Sequence, residues 1–352
     1  MKLFVSFNLL LFCSLNLLAV SIAPYEKAVF NLSEQKEFII TVLDSQAENS
    51  IVSIYSPDHI LVKTLKPVRH EKQRTIFSWD GTDTNNELVP DEAYVPVVKY
   101  LGKSYDSREL SGGEEFQLEP TVDSQGTISF NLAEPSRVLI RAGTKAGPLL
   151  NNISTWQARP AGRNRIAWDG YDHNDLTRVL DLPDFALLAI GFKLPKHTIL
   201  VQGNAALSYR EWIQNNQYDT PMPDFASLKL DRNNERLSRH YYLPRTVDIE
   251  PRVTLEIKDA EQNAQGANLI IGPVMVQVNL HPDDIWALQQ GLYEISFFLD
   301  DEFISEEEQG YVPLRWRWTP NNVKPGLHRL TVNVSGFEGQ VGVQSILVFV
   351  TK

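Results

Sequence analysis

The chain has 352 residues, enough for two or three domains at roughly 150 residues each, so a single small domain is excluded. Hydrophobic residues make up 43% and charged ones 22%, with 19 glycines and 20 prolines; this composition is globular, neither collagenous nor low-complexity. Lys plus Arg number 33 against 44 Asp plus Glu, a net charge of −11, and without a basic face for phosphates nucleic acid is not an expected partner.

Met1-Lys2 opens a run over residues 3–20 that is apolar apart from Ser6, Asn8, Cys13, Ser14 and Asn16. A short positive start, an apolar stretch and small residues at its end form a secretory signal. Residues 1–23 are therefore expected as a signal peptide, cut after Ala23 or, because Pro24 obstructs that cut, after Ser21. A lipoprotein would use Cys13, but Phe12 stands where a small residue should precede it. Cys13 is the single cysteine, so the processed chain is expected to hold no disulfide, thiolate metal site or cysteine nucleophile. No later stretch reaches the length of a membrane-spanning helix, and the expected location is periplasmic or extracellular, including the cell surface.

Short alternating runs dominate the remainder: 38–42, 51–55, 94–98, 137–140, 252–257 and 345–350. Turn residues separate them at the spacing of stacked sheets, while sustained helical periodicity is scarce. The expected fold class is all-β. Two stretches read as copies. Phe30-Asn31-Leu32-Ser33-Glu34 recurs as Phe130-Asn131-Leu132-Ala133-Glu134, and Trp79-Asp80-Gly81-Thr82-Asp83-Thr84-Asn85 recurs as Trp168-Asp169-Gly170-Tyr171-Asp172-His173-Asn174. Aligned on both signatures, the first copy is longer, its surplus expected in 44–50.

The run Phe77-Ser78-Trp79-Asp80-Gly81, continued through Val89-Pro90-Asp91 to Tyr94, resembles the C-terminal immunoglobulin-like repeat of flagellar hook-capping proteins, a module that also occurs in other exported bacterial proteins. The resemblance covers about 24–118 and, less faithfully, 119–194, where Leu182-Pro183-Asp184-Phe185 replaces the Val-Pro-Asp pattern. It implies tandem immunoglobulin-like β-sandwiches with tryptophan in the core. Independently of it, Phe77 and Trp79 lie two apart and share a strand face, and Asp80-Gly81 begins a turn whose carboxylate can accept backbone N–H groups.

Residues 250–352 read as a third module: an alternating strand into an acidic hairpin at Asp300-Asp301, then Leu314-Arg315-Trp316-Arg317-Trp318, then Pro325-Gly326 into alternating strands. They resemble the bacterial immunoglobulin-like domains of adhesins and exported enzymes. Between the second and third modules, 195–249 is expected as an aromatic-rich connector, with a strand at 198–202 and a short helix near 208–216, and the modules are expected as beads.

Candidate sites follow from residue type. Asp80, Asp83, Asn85 and Glu87, with Asp169, Asp172, Asn174 and Asp175, cluster oxygens of the kind Ca²⁺ takes; a hairpin turn rich in Asp and Asn has the same letters for backbone reasons alone. Six carboxylates at Asp300, Asp301, Glu302, Glu306, Glu307 and Glu308 read as a solvated hairpin tip that discourages edge pairing. Trp316 and Trp318 share a strand face, either in a core or as an aromatic platform for a sugar. The seven histidines have no zinc spacing, and no nucleophile elbow, phosphate loop or dinucleotide fingerprint appears. No catalytic residue, cofactor or metal is expected. The expected function is a non-enzymatic scaffold, adhesion or surface-assembly component with a protein or glycan partner, and Trp212, Tyr218, Tyr241 and Tyr242 are its expected contact residues, since aromatic anchors dominate interfaces. The alternatives are a carbohydrate-binding accessory protein and a hydrolase with a site at a domain junction.

Overall fold

The computed structural model describes residues 20–43, 50–100 and 102–351. The expected signal peptide up to residue 19, with Cys13, and all but the last residue of the expected surplus at 44–50 lie outside the described residues. Strands dominate, in sheets that stack as immunoglobulin-like sandwiches. Alternation explains the stacking: in the strand Arg74–Trp79, Thr75, Phe77 and Trp79 are buried while Arg74 is exposed, as a period of two requires when one face meets a core.

In the first module, Ser21–Ile22, Phe38–Leu43, Arg74–Trp79 and Pro67–Glu71 form one sheet in that spatial order. The facing sheet runs Val29–Asn31, Ile199–Gln202, Ala93–Tyr100, Ile51–Tyr55 and Leu61–Leu65. Two expectations change here. Ser21 and Ile22 pair with Leu43 and Val42, and Ile22 is buried in the core, so a cut after Ser21 or Ala23 would divide or remove a strand. The segment 195–249 is also more than a connector: Ile199–Gln202 lies parallel to Val29–Asn31 and antiparallel to Tyr94 and Ala93.

That strand shares an edge of Ala93–Tyr100 with Lys103–Asp106, which pairs with residues 97–100 of the same strand. One strand position is thus filled in two halves, and the chain of the second module runs between them. In the second module the corresponding edge, beside Phe185–Lys193, is taken by Glu115–Gln117 from ahead of its other strands.

The second module stacks Thr121–Val122, Ile128–Leu132 and Gly162–Ile166 on the sheet Glu115–Gln117, Phe185–Lys193, Ser136–Thr144 and Leu149–Arg159. The third stacks Val253–Ile257, Val274–Leu280 and Leu314–Trp318 on a sheet containing Asn268–Ile270, Val341–Val350, Gly326–Gly336, Tyr293–Leu299 and Glu302–Glu307.

The register corrects the repeat. Ile40 pairs with Phe77 and Ile128 with Ile166, and Phe77 and Ile166 each lie two residues before the signature tryptophan. Ile40 and Ile128 are therefore the equivalent residues. Phe30 and Phe130 sit in non-equivalent strands, one beside Ile199–Gln202 and the other opposite Asn164. With the strands so matched, the two copies span nearly the same length of chain, and the supposed surplus disappears.

Candidate functional site at the module junctions

The two Trp-Asp-Gly corners are the same device. Trp79 Nε1 donates to the Thr82 carbonyl at 2.9 Å, and Trp168 Nε1 to the Tyr171 carbonyl at 2.9 Å. Gly81 and Gly170 both adopt positive φ, 76° and 86°, a conformation in which a Cβ is costly. Asp80 Oδ1 accepts from Thr82 N and Asp169 Oδ1 from Tyr171 N. Asp83 Oδ1 accepts from Asn85 N and Glu87 N, and Asp172 Oδ1 from Leu176 N and Thr177 N. Asp80, Asp83, Asp169 and Asp172 thus each use one carboxylate oxygen to close a turn, and among the described residues no group of three His, Cys, Asp or Glu is arranged to hold a metal ion. In the first module Tyr94 adds a hydroxyl bond back to the Pro90 carbonyl at 3.0 Å, the tyrosine corner of immunoglobulin-like sandwiches.

Each corner also holds a later part of the chain. Around the first, Ser208 caps the helix Tyr209–Asn215 in a reciprocal box with Glu211, and Tyr209, Trp212 and Ile213 repeat at the helical spacing that buries one face. Trp212 is 1% exposed in the first module's core, and its Nε1 donates to Asp83 Oδ2 at 3.1 Å. Asn85 Nδ2 donates to Asn216 Oδ1 at 2.8 Å. At the second corner, the equivalent Asn174 accepts from Ser345 N of the third module at 2.7 Å.

The expected contact surface is therefore corrected. Trp212 is core, and Tyr218 is half-buried with its ring 5.0 Å from the Trp212 ring. Tyr241 packs edge-on to Phe192 and donates to the Arg108 carbonyl at 3.2 Å. Tyr242 is half-buried, 5.2 Å from Tyr241. These aromatics fasten the segment 195–249 to the modules and do not form a common exposed patch. The sugar platform is corrected as well: Trp318 is buried, and Trp316 lies between Trp318 and Phe297, stacked on the latter at 4.4 Å. The acidic hairpin bends at Asp300 and Asp301, both at positive φ. Its tip is tied back, with Asp300 on His328 Nδ1 at 2.5 Å and Asp301 on Arg329.

Polar groups converge most densely where the first two modules meet the segment 238–250. In the strand Ser136–Thr144, Val138, Ile140 and Ala142 face the second module's core, so alternation turns Arg137, Leu139 and Arg141 to the other side, where they are buried too. Arg137 donates to Glu92 of the first module at 2.6 Å and to the Trp156 carbonyl at 3.2 Å. Arg245 reaches Glu92 at 3.5 Å and Asp248 at 3.3 Å. His240 Nδ1 meets Asp248 Oδ1 at 2.8 Å with its ring on Trp156 at 4.3 Å. Burial opposes the Glu92 charge, but Arg137 and Arg245 outweigh it and hold the carboxyl below the usual glutamate range. Burial lowers the Arg137 value, whereas the carboxylates of Glu92, Asp248 and Asp58 outweigh burial at Arg245 and raise it. Asp58 accepts from Arg245 N at 2.8 Å, and burial pushes its carboxyl up to about 6.

A second network joins the second and third modules. Glu250 accepts from Arg141 at 2.7 Å and from Val341 N at 2.6 Å, and burial raises its pKa in spite of Arg141. Asn333 and Leu149 exchange two bonds, Asn152 donates to the Val341 carbonyl, and Arg141 also donates to the Gly339 carbonyl. Arg210, on the helix over the first corner, reaches Asp284 of the third module at 2.9 Å. The modules are clamped together; the expected beads are not observed. Sequence reasoning missed Glu92, Arg137, Arg141, Arg245, Asp248 and Glu250. The one available signal was an arginine pair four apart in an otherwise apolar strand.

No protein-family model matches the chain, and no curated protein matches it. Among solved structures, fibronectin(III)-like modules of Clostridium thermocellum CbhA are 11% identical, with 95% of this chain and 94% of that chain covered at a TM-score of 0.21. A tetra-tandem repeat from the extending region of a large adhesion protein is 8% identical, with 94% and 73% covered at 0.18. An endo-β-1,4-mannanase from Thermotoga petrophila is 14% identical over 29% of this chain, at 0.23, and this chain spans 20% of that enzyme's length. The fold assignment rests on the strand pairing described above.

Proposed function

We propose that this protein is a non-enzymatic structural and interaction component, exported to the bacterial periplasm, cell surface or exterior, that acts as a stiff three-module spacer. The observation that supports this reading is the clamping of the modules by buried ion pairs, Arg137 to Glu92 and Arg141 to Glu250. Buried pairs are costly to break from one side, so the modules hold one mutual orientation and present their outer loops and edges at fixed spacing. Such an arrangement suits a scaffold or assembly part, whose partner, a protein or a glycan, meets several modules at once. The apolar run at 3–20 supports export, and the docking of Ser21–Ile22 favours processing ahead of Val20. Small-angle scattering of the processed protein tests the spacer: a curve that fits one rigid arrangement agrees with it, and a spread of inter-module distances refutes it. Terminal sequencing of the protein exported by a bacterial host tests the export reading, and a retained leader refutes it.

A further inference from the structure

Between the first two modules lies a cleft of ≈ 490 Å³, of a size that suits a small molecule. Its lining combines the apolar Leu200 and Val201 with Asp91, Gln157, Arg159 and Gln202 above the Glu92 network. The charges beneath it compensate one another, since Arg137 and Arg245 both lie against Glu92. Arg159 differs. Its Nη2 donates to the neutral Gln157 Oε1 at 2.5 Å, its Nε is buried without an acceptor, and among the described residues no ion pair with a carboxylate is formed. Desolvation lowers its pKa with nothing to offset it. Gln157 and Arg159 lie on Leu149–Arg159, the outermost strand of its sheet, so neither is fixed by a neighbouring strand on that side.

We propose that this cleft binds a carboxylate-bearing ligand, held by the Arg159 guanidinium. A carboxylate exchanges the neutral Gln157 acceptor of Nη2 for a charged one and takes both terminal nitrogens in the paired geometry that only a planar fork provides; such charge-assisted bonds are about twice as strong as neutral ones. Asp91, exposed on the same lining, offers an acceptor to a hydroxyl or amide elsewhere on the ligand. The carboxylate can belong to an acidic sugar or to a peptide. This inference goes beyond the spacer reading and does not depend on it.

The test is calorimetric titration of the full chain with D-galacturonate and N-acetyl-L-glutamate, each against its uncharged counterpart, D-galactose and N-acetyl-L-glutamine. At least one acid is expected to bind saturably at millimolar concentration, with its counterpart about tenfold weaker or more, equivalent to about 1.4 kcal/mol. Binding of the sugar acid alone identifies an acidic glycan, and binding of the amino acid derivative alone a peptide. Arg159→Gln should lose the binding about tenfold. Arg159→Lys, which keeps the charge and loses the fork, should lose most of it, and Arg163→Gln, at an exposed position of the next strand along the chain, in the facing sheet, should bind as the wild type does. Melting temperatures of all three establish folding. Absence of saturable binding by either acid, or wild-type affinity in folded Arg159→Gln, overturns the proposal.

Discussion

The replacement Trp212→Ala separates a tether from a structural part of the first module. If 195–249 only linked modules, loss of one aromatic from it would cost less than about 1 kcal/mol, as surface substitutions do. The structure requires far more. The indole is 1% exposed among Phe30, Trp79 and Tyr94 in one core, and truncating a buried tryptophan costs about 3–5 kcal/mol. Its Nε1 is also a partner of Asp83 Oδ2, and leaving that acceptor unsatisfied costs about 1–3 kcal/mol. The two losses share one cavity and do not add fully, so about 4–6 kcal/mol is expected for Ala and about 1–3 kcal/mol for Trp212→Phe, which keeps most of the volume. Because a three-module chain need not unfold in one step, the assay is hydrogen exchange at increasing urea. Protection is read separately for peptides from Ala93–Tyr100 in the first module and from Gly326–Gly336 in the third. Protection should fall in the first peptide and hold in the second. A change below about 1 kcal/mol in the first, or equal losses in both, would refute the assignment of this segment to the first core.

Two further outcomes concern the junctions. The Asp58 carboxyl is raised from 3.8 to about 6, so the folded protein binds this proton more tightly than the unfolded chain. The native state is therefore least penalised below about pH 4, loses stability as pH rises through 4 to 6, and carries the full cost above that window, about 3 kcal/mol at 1.36 kcal/mol per unit. Asp58→Asn, which keeps an acceptor for Arg245 N, should raise the melting temperature at pH 7.5 and leave it nearly unchanged at pH 4; equal shifts at both values would count against the burial argument. Glu250→Ala strands Arg141 between the second and third modules and should cost about 3–5 kcal/mol of their mutual attachment, seen in small-angle scattering as loss of the single arrangement while each module still melts cooperatively. Unchanged scattering would show that the remaining bonds of Asn152 and Asn333 hold the modules without it.

What could be read from the residues was local in origin. A period of two in hydrophobicity specifies strands, and Trp-Asp-Gly specifies a corner because the glycine takes positive φ and the aspartate closes the turn within a few residues. The short helix at 209–215 was legible for the same reason, since its cap, Ser208 with Glu211, lies within one turn. The matching of Phe30 with Phe130 failed because a likeness of four residues in five has no register; which strand pairs with which is decided by the sheet, where Ile40 and Ile128 proved equivalent. The aromatics of 195–249 were visible, but whether an aromatic anchors a partner or a core depends on what covers it, and Trp212 is covered by residues more than a hundred positions earlier.

By itself, then, the sequence determined the all-β class, the corners and the local caps, because each depends on interactions between near neighbours. Only the tertiary structure decided that a strand from beyond the second module completes the first, that the modules are clamped, and that Arg159 stands without a carboxylate partner among the described residues. Those outcomes depend on charges and sheet edges brought together from distant positions, where no spacing along the chain carries the information.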